Sequence, residues 1–491
     1  MTTHVTISRL PTGVPGLDTV LGGGLPEFSF SIIGGPPGSG KTTLAHQMMF
    51  AMATPERPAL YLTVLGEPPL KMLRYQQQFG FFDAEAIGRS VHFLNLSDDA
   101  ASGDLEQVLG RIVTEVEARG PGFVFVDSFR SLLRAQSSES NEQGFVQKLG
   151  MLMTAWQATT FMIGEYFSEI DEDPVFTVAD GLIWLRQSVE RNSMVRKIEI
   201  RKMRGQPTLP GLHTFRIAQA GIEVFAPAAA VAAGGTEHPS TATGPRVSIG
   251  IPGLDEMLGG GLPRGYSLLV AGPSGSGKSV LAAAFLAEGA RRGEKGVFAA
   301  FEQRPTLARH RLVAGLIADG HVGLIDGRAV DLSIDETLRL LMSEIARLQA
   351  TRVVIDSLSG FELALAPHFR NDFRESLFRL VSALTGTGVT VLLTSELEDR
   401  YTDLRFSPYG TAFLTDAIIV QRYIEVESRL RRVMAVVKVR ARAHSDELRE
   451  YRLTADGIEV DAPLPDQEGL LGGRPTLRRD TDSPAGDGPK A

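Results

Sequence analysis

Residues 12–43 read TGVPGLDTVLGGGLPEFSFSIIGGPPGSGKTT, and residues 248–280 read SIGIPGLDEMLGGGLPRGYSLLVAGPSGSGKSV. Both carry PGLD, then LGGGLP, then a short apolar run, then a glycine-rich loop ending in Lys and a hydroxyl residue. A pattern this long, met twice in one order, is the mark of an internal repeat. The apolar run predicts a strand, and Leu44, Met48 and Met52, like Leu281 and Phe285, predict a helix behind each loop.

The loops fit G-x-x-x-x-G-K-[ST] in full. The first is Gly35, Pro36, Pro37, Gly38, Ser39, Gly40, Lys41, Thr42, with Thr43 following. The second is Gly272, Pro273, Ser274, Gly275, Ser276, Gly277, Lys278, Ser279, with Val280 following. Glycines let the backbone close around a phosphate chain, successive N–H groups point inward, and the helix behind presents its positive end. Lys41 and Lys278 are expected to neutralise the β- and γ-phosphates, and Thr42 and Ser279 to place a hydroxyl on Mg²⁺. A chance glycine turn is the bland alternative; the strand-before, helix-after setting, seen twice, argues against it.

Outward from the loops, apolar runs at 60–64, 123–126 and 160–163 predict buried strands, matched in the second copy by 297–301, 353–355 and 389–393. Leu105, Val108, Leu109, Ile112, Val113 and Val116 recur at helical spacing, as do Leu338, Leu341, Met342, Ile345 and Leu348. Continuous apolar strands alternating with amphipathic helices imply an α/β fold with a mainly parallel sheet covered on both faces. Asp127 and Asp356 end two of these runs and are expected to hold Mg²⁺ through water, although an Asp after an apolar run also serves as a helix cap. Glu67 and Glu302 follow the strand after each loop helix and are candidates for activating the attacking oxygen; an exposed strand-end Glu with no task is the alternative.

Chain-wide numbers set the frame. A chain of 491 residues exceeds one ordinary core and suggests two domains: 1–227 and 247–464, with an Ala/Gly/Pro/Ser/Thr-rich linker at 228–246. The stretch 465–491 is polar and Gly/Pro-rich and is expected to be disordered. The formal net charge of −8 disfavours a nucleic-acid partner. With no cysteine, disulfides, thiolate metal sites and cysteine nucleophiles are excluded. The opening MTTHVTISRL does not read as a signal peptide, and no apolar run is long enough for a membrane helix, so a cytoplasmic protein is expected.

These motifs resemble the KaiC family, the double-domain ATPases of the cyanobacterial clock and their relatives, over about residues 5–462. The resemblance implies two tandem RecA-like P-loop domains stacked as two rings of a homohexamer, ATP at subunit interfaces, slow ATP hydrolysis, serine/threonine autokinase activity in the second ring, and a protein partner of the KaiB type. It also implies that a neighbour's basic residues reach the γ-phosphate, which maps onto Lys202 and Arg204 in the first copy and Lys438 and Arg440 in the second. Two departures stand out. The family's adjacent glutamates are reduced to Glu302-Gln303 in the second copy and Gly66-Glu67 in the first, and its Ser-Thr phosphoacceptors fall on Ala412-Phe413. Three readings remain in competition: an ATPase whose nucleotide state controls assembly and partner binding, a protein kinase acting on itself or a partner, and a DNA-dependent motor or recombinase, which the acidic charge disfavours.

Overall fold

The computed structural model describes residues 7–64, 69–101, 105–128, 139–166, 175–190, 193–227, 245–302, 304–306, 311–327, 332–370, 373–397, 414–426, 428–463, 467–468 and 476–477. They fall into two compact units, residues 1–230 and 231–491.

In the first unit a nine-stranded sheet is built around Phe30–Gly35, the strand that feeds the first loop. On one side lie Thr159–Glu165, Phe123–Asp127, Ala59–Thr63 and Val91–Asn95, all parallel. On the other side Gly181–Glu190 is still parallel, and Ser193–Met203, Leu212–Ala218 and Gly221–Phe225 continue as an antiparallel meander. The second unit repeats this order around Ser267–Gly272: Thr390–Glu396, Arg352–Asp356, Gly296–Ala300 and Val322–Asp326 on one side, and Ala417–Val426, Arg429–Val439, Arg449–Thr454 and Gly457–Pro463 on the other. The expected mainly parallel sheet is present in each half; the antiparallel extension adds three strands to each.

The inner parallel strands are buried on both faces, which is why they read as continuous apolar runs. Helix Leu105–Arg119 buries Leu105, Val108, Leu109, Ile112 and Val116, one stripe of a 3.6-residue period. Its counterpart Ile334–Leu348 starts on a capping box, in which Ser333 accepts from the Glu336 N–H and the Glu336 side chain accepts from the Ser333 N–H. The aspartate of each PGLD ties back to the residues just before it. Asp18 accepts from both the N–H and hydroxyl of Thr12, and Asp255 from the Ile249 N–H and the Ser248 hydroxyl. The repeated Asp thus fixes a turn and is not in the wall of either cavity described below.

In a parallel sheet the carboxyl ends of the strands share one edge, and the loops that leave it form the natural ligand crevice. Here Gly35 pairs in register with Glu165, and Thr63 with Asp127. Loop, aspartate and strand-end glutamate therefore meet at that edge. The tail expected to be disordered contributes one short ladder, Gln467–Glu468 with Thr476–Leu477.

Candidate nucleotide-binding sites

Each phosphate loop owes its shape to glycines that no other residue could replace. Gly35 has φ +148°, and a Cβ there would lie 2.1 Å from the Leu185 carbonyl oxygen. Gly40 and Gly277 hold φ +101° and +98° at the N-cap of helices Lys41–Met52 and Lys278–Arg291, where the free amides of the first turn face the loop.

In the first site the loop wraps its own lysine. Lys41 Nζ donates to the Pro36 carbonyl at 2.8 Å. Burial lowers its pKa, against the raising influence of the Glu165 and Asp127 charges. The Thr42 hydroxyl donates to Asp127 Oδ2 at 2.9 Å, and the Tyr61 hydroxyl donates to the same oxygen at 2.7 Å. Burial raises the Asp127 pKa, opposed by those two hydrogen bonds and by the Lys41 charge. Burial and the neighbouring Asp127 charge push the Tyr61 phenol well above its ordinary range. A cavity of about 310 Å³ opens here, with Gly38, Gly40, Lys41, Thr42, Thr43, Asp127, Ser128 and Glu165 in its wall.

The second site has the same plan with different bracing. Lys278 Nζ donates to the carbonyls of Gly272 and Pro273 at 2.9 and 2.8 Å. Burial lowers its pKa while the Glu396, Asp356 and Glu302 charges act the other way. Asp356 Oδ1 accepts from the Thr394 hydroxyl, and Glu302 accepts from the Ser357 hydroxyl. The cavity, about 290 Å³, has Ser274, Gly275, Gly277, Lys278, Ser279, Val280, Glu302, Asp356 and Glu396 in its wall. Behind it the Ser276 hydroxyl donates to Gln421 at 3.0 Å and its carbonyl accepts from Tyr451, so the loop is pinned to strands Ala417–Val426 and Arg449–Thr454.

Both sites suit a triphosphate carrying a small hard cation. An ammonium, a hydroxyl and a carboxylate converge on a cradle of backbone amides, and the hydroxyl and carboxylate are oxygen donors of the kind Mg²⁺ takes. Among the described residues no group of three or more His, Cys, Asp or Glu gathers to cage a metal, so phosphate and water would supply the remaining ligands.

The structure brings together most of the residues named from sequence: the loops, Asp127, Asp356 and Glu302. Glu67, Gln303, Ala412 and Phe413 lie outside the described residues. The Lys-x-Arg segments stand elsewhere. Lys202 Nζ donates to the carbonyls of Phe176 and Thr177, and Arg204 bridges to Asp180 at 3.2 Å. Lys438 Nζ donates to the Thr415 carbonyl, and Arg440 bridges to Asp416 at 3.2 Å. Met203 pairs with Gly181, which is in register with Ser31, four residues below Gly35. Four strand residues span about 13 Å, so this segment sits at the edge of the sheet opposite its own loop.

Sequence reading missed Glu165, Glu396 and Tyr61. The glutamates had a signal: each closes an apolar strand, TTFMIGE or TVLLTSE, as Asp127 and Asp356 do. Tyr61 had none, being one more apolar-looking residue in ALYLT.

Comparison with known proteins agrees with this architecture. The sequence model of the KaiC ATPase family matches residues 10–229 and again residues 247–464. The circadian clock oscillator protein KaiC of Thermostichus vulcanus is 26% identical over 488 residues, covering 96% of this chain and 92% of its own. Those of Prochlorococcus marinus (26%, covering 98% and 97%) and Rippkaea orientalis (27%, covering 96% and 92%) are similar over nearly the whole chain as well. With a nucleotide-binding fold in each half and the family's signature across both, this chain belongs to the KaiC family of ATPases.

Proposed function

We propose that this protein binds Mg-ATP at both loops and hydrolyses it, and that its nucleotide state controls assembly and partner binding. The observation that supports this most is the repeated convergence of loop lysine, first-turn hydroxyl and strand-end aspartate on one cavity. The loop amides and Lys41 or Lys278 bind the phosphates and counter their charge. Asp127 with Thr42, and Asp356 with Ser279, would hold Mg²⁺, which would supply positive charge against that developing on the phosphates. In the second site Glu302, oriented by Ser357, stands at the cavity wall to receive a proton from the attacking water.

A lysine–arginine pair at the opposite edge of the sheet cannot serve its own loop. Supply from a neighbouring copy is the arrangement that would bring Lys202 and Arg204, or Lys438 and Arg440, to a γ-phosphate, consistent with a ring such as the family resemblance implies. Purified protein mixed with Mg-ATP is expected to release phosphate, and the Lys41→Ala/Lys278→Ala double variant to release none above background. Undiminished release from that variant would refute the reading. Light scattering with and without ATP tests the ring.

A further inference from the structure

The two cavities share one carboxylate that neither the loop signature nor the strand-end aspartates account for. Glu165 closes the strand lying between the loop strand and the Asp127 strand, in register with Gly35. Glu396 closes the equivalent strand of the second unit, in register with Gly272. Each lines its cavity, and each is the strongest-acting negative charge on the loop lysine.

The sites differ in what stands opposite. In the second unit the Phe301 N–H donates to the Asp356 carbonyl at 2.9 Å, and the next residue, Glu302, lines the cavity. In the first unit the Val64 N–H donates to the Asp127 carbonyl at the same 2.9 Å, so by chain count Leu65 answers to Glu302 and Glu67 falls two residues later. Among the described residues, the carboxylates in the first cavity wall are Asp127 and Glu165. Oδ2 of Asp127 already accepts two hydrogen bonds, from Thr42 and Tyr61, which suits a cation-holding group and leaves the proton-accepting task to another.

We propose that Glu165 is the catalytic carboxylate of the first site, the group that orients and deprotonates the attacking water. This rests on the reading of that site as an Mg-ATP site. The water oxygen bonds to the γ-phosphorus. The bond from that phosphorus to the β,γ-bridging oxygen breaks, and its electron pair leaves with ADP. One water proton passes to Glu165 and from it to the departing phosphate, so the products are ADP and inorganic phosphate. Lys41, facing the same cavity, offsets the repulsion between carboxylate and phosphate.

The test uses the full chain carrying Lys278→Ala, which silences the second site, so that remaining phosphate release reports the first. Adding Glu165→Gln is expected to lower kcat at least tenfold and to leave the ATP KM within about twofold, because a general base is worth about 10²–10⁴ and acts after binding. Glu67→Gln in the same background is expected to lower kcat by less than Glu165→Gln does. The proposal is overturned if Glu67→Gln abolishes release while Glu165→Gln retains it. It is equally overturned if Glu165→Gln stops binding a non-hydrolysable ATP analogue, or if the Lys278→Ala protein binds that analogue without any release. Failure of the wild-type chain to bind the analogue at all would instead remove the nucleotide-site reading beneath it.

Discussion

The Tyr61 hydroxyl donates to Asp127 Oδ2 across 2.7 Å, and its ring packs against His46, with centroids 4.5 Å apart. That buried phenol locks the rotation of the carboxylate that would hold the cation. Groups that orient a metal-holding side chain typically contribute about 10–100-fold to metal affinity. Tyr61→Phe keeps the ring and removes only the donor. The Mg²⁺ concentration for half-maximal nucleotide binding at the first site should rise several-fold, and the second site, with Phe298 in the matching strand, should be unchanged. Magnesium titrations in Lys41→Ala and Lys278→Ala backgrounds separate the two sites; equal curves with and without Tyr61→Phe would contradict the assignment.

Gly35 carries the steepest backbone requirement in the first loop. An added methyl would meet the Leu185 carbonyl at 2.1 Å, and φ +148° is itself unfavourable for any L side chain. Gly35→Ala should cost about 3 kcal/mol or more and remove nucleotide binding from the first site. Urea unfolding together with analogue calorimetry on the Lys278→Ala protein would measure both effects.

Arg352 is 1% exposed, an unusual place for a guanidinium. It is held by Glu294 at 2.6 Å, by the carbonyls of Ser248 and Phe285 at 2.8 Å, and by the face of the Phe285 ring. Substituting Leu strands two carbonyls and a half-buried carboxylate. Arg352→Leu should destabilise the second unit by about 2–4 kcal/mol. Denaturant curves for the two proteins decide it.

Glu288 accepts from Arg291 and Arg292, and these bonds hold its pKa down at about 2 against a usual 4.5. A pKa lower in the folded than in the unfolded chain means the stabilisation is fully present above about pH 4.5 and is lost as the pH falls through about 2. Glu288→Gln should therefore melt earlier than wild type at neutral pH, with the gap closing across that window. A gap independent of pH would show that the charge is not its source.

Much of this was legible in the sequence because it rests on local pattern. A buried parallel strand must be apolar throughout, so 123–126 announced itself, and a phosphate loop needs glycine where φ is positive, so Gly35 and Gly40 did too. What escaped depends on register. That Glu165 stands beside Gly35, 130 residues earlier in the chain by count, is a property of strand pairing that no window of sequence contains. The antiparallel extension was missed for a different reason: SMVRKIEIRKM alternates charge with apolar residues and reads equally as a solvated strand or a catalytic segment. The structure gives it both a pairing and a place far from its own loop.

The unlike bracing of the two aspartates limits how far the halves remain exchangeable parts. Asp127 leans on a tyrosine from the strand on one flank, Ala59–Thr63, whereas Asp356 leans on a threonine from the opposite flank, Thr390–Glu396. Grafting Gly296–Ala300 in place of Ala59–Thr63 would delete the first brace without importing the second, because Ile163 occupies the place of Thr394. A chimera of these repeats has to move strands in pairs, or it inherits a carboxylate steadied by Thr42 alone.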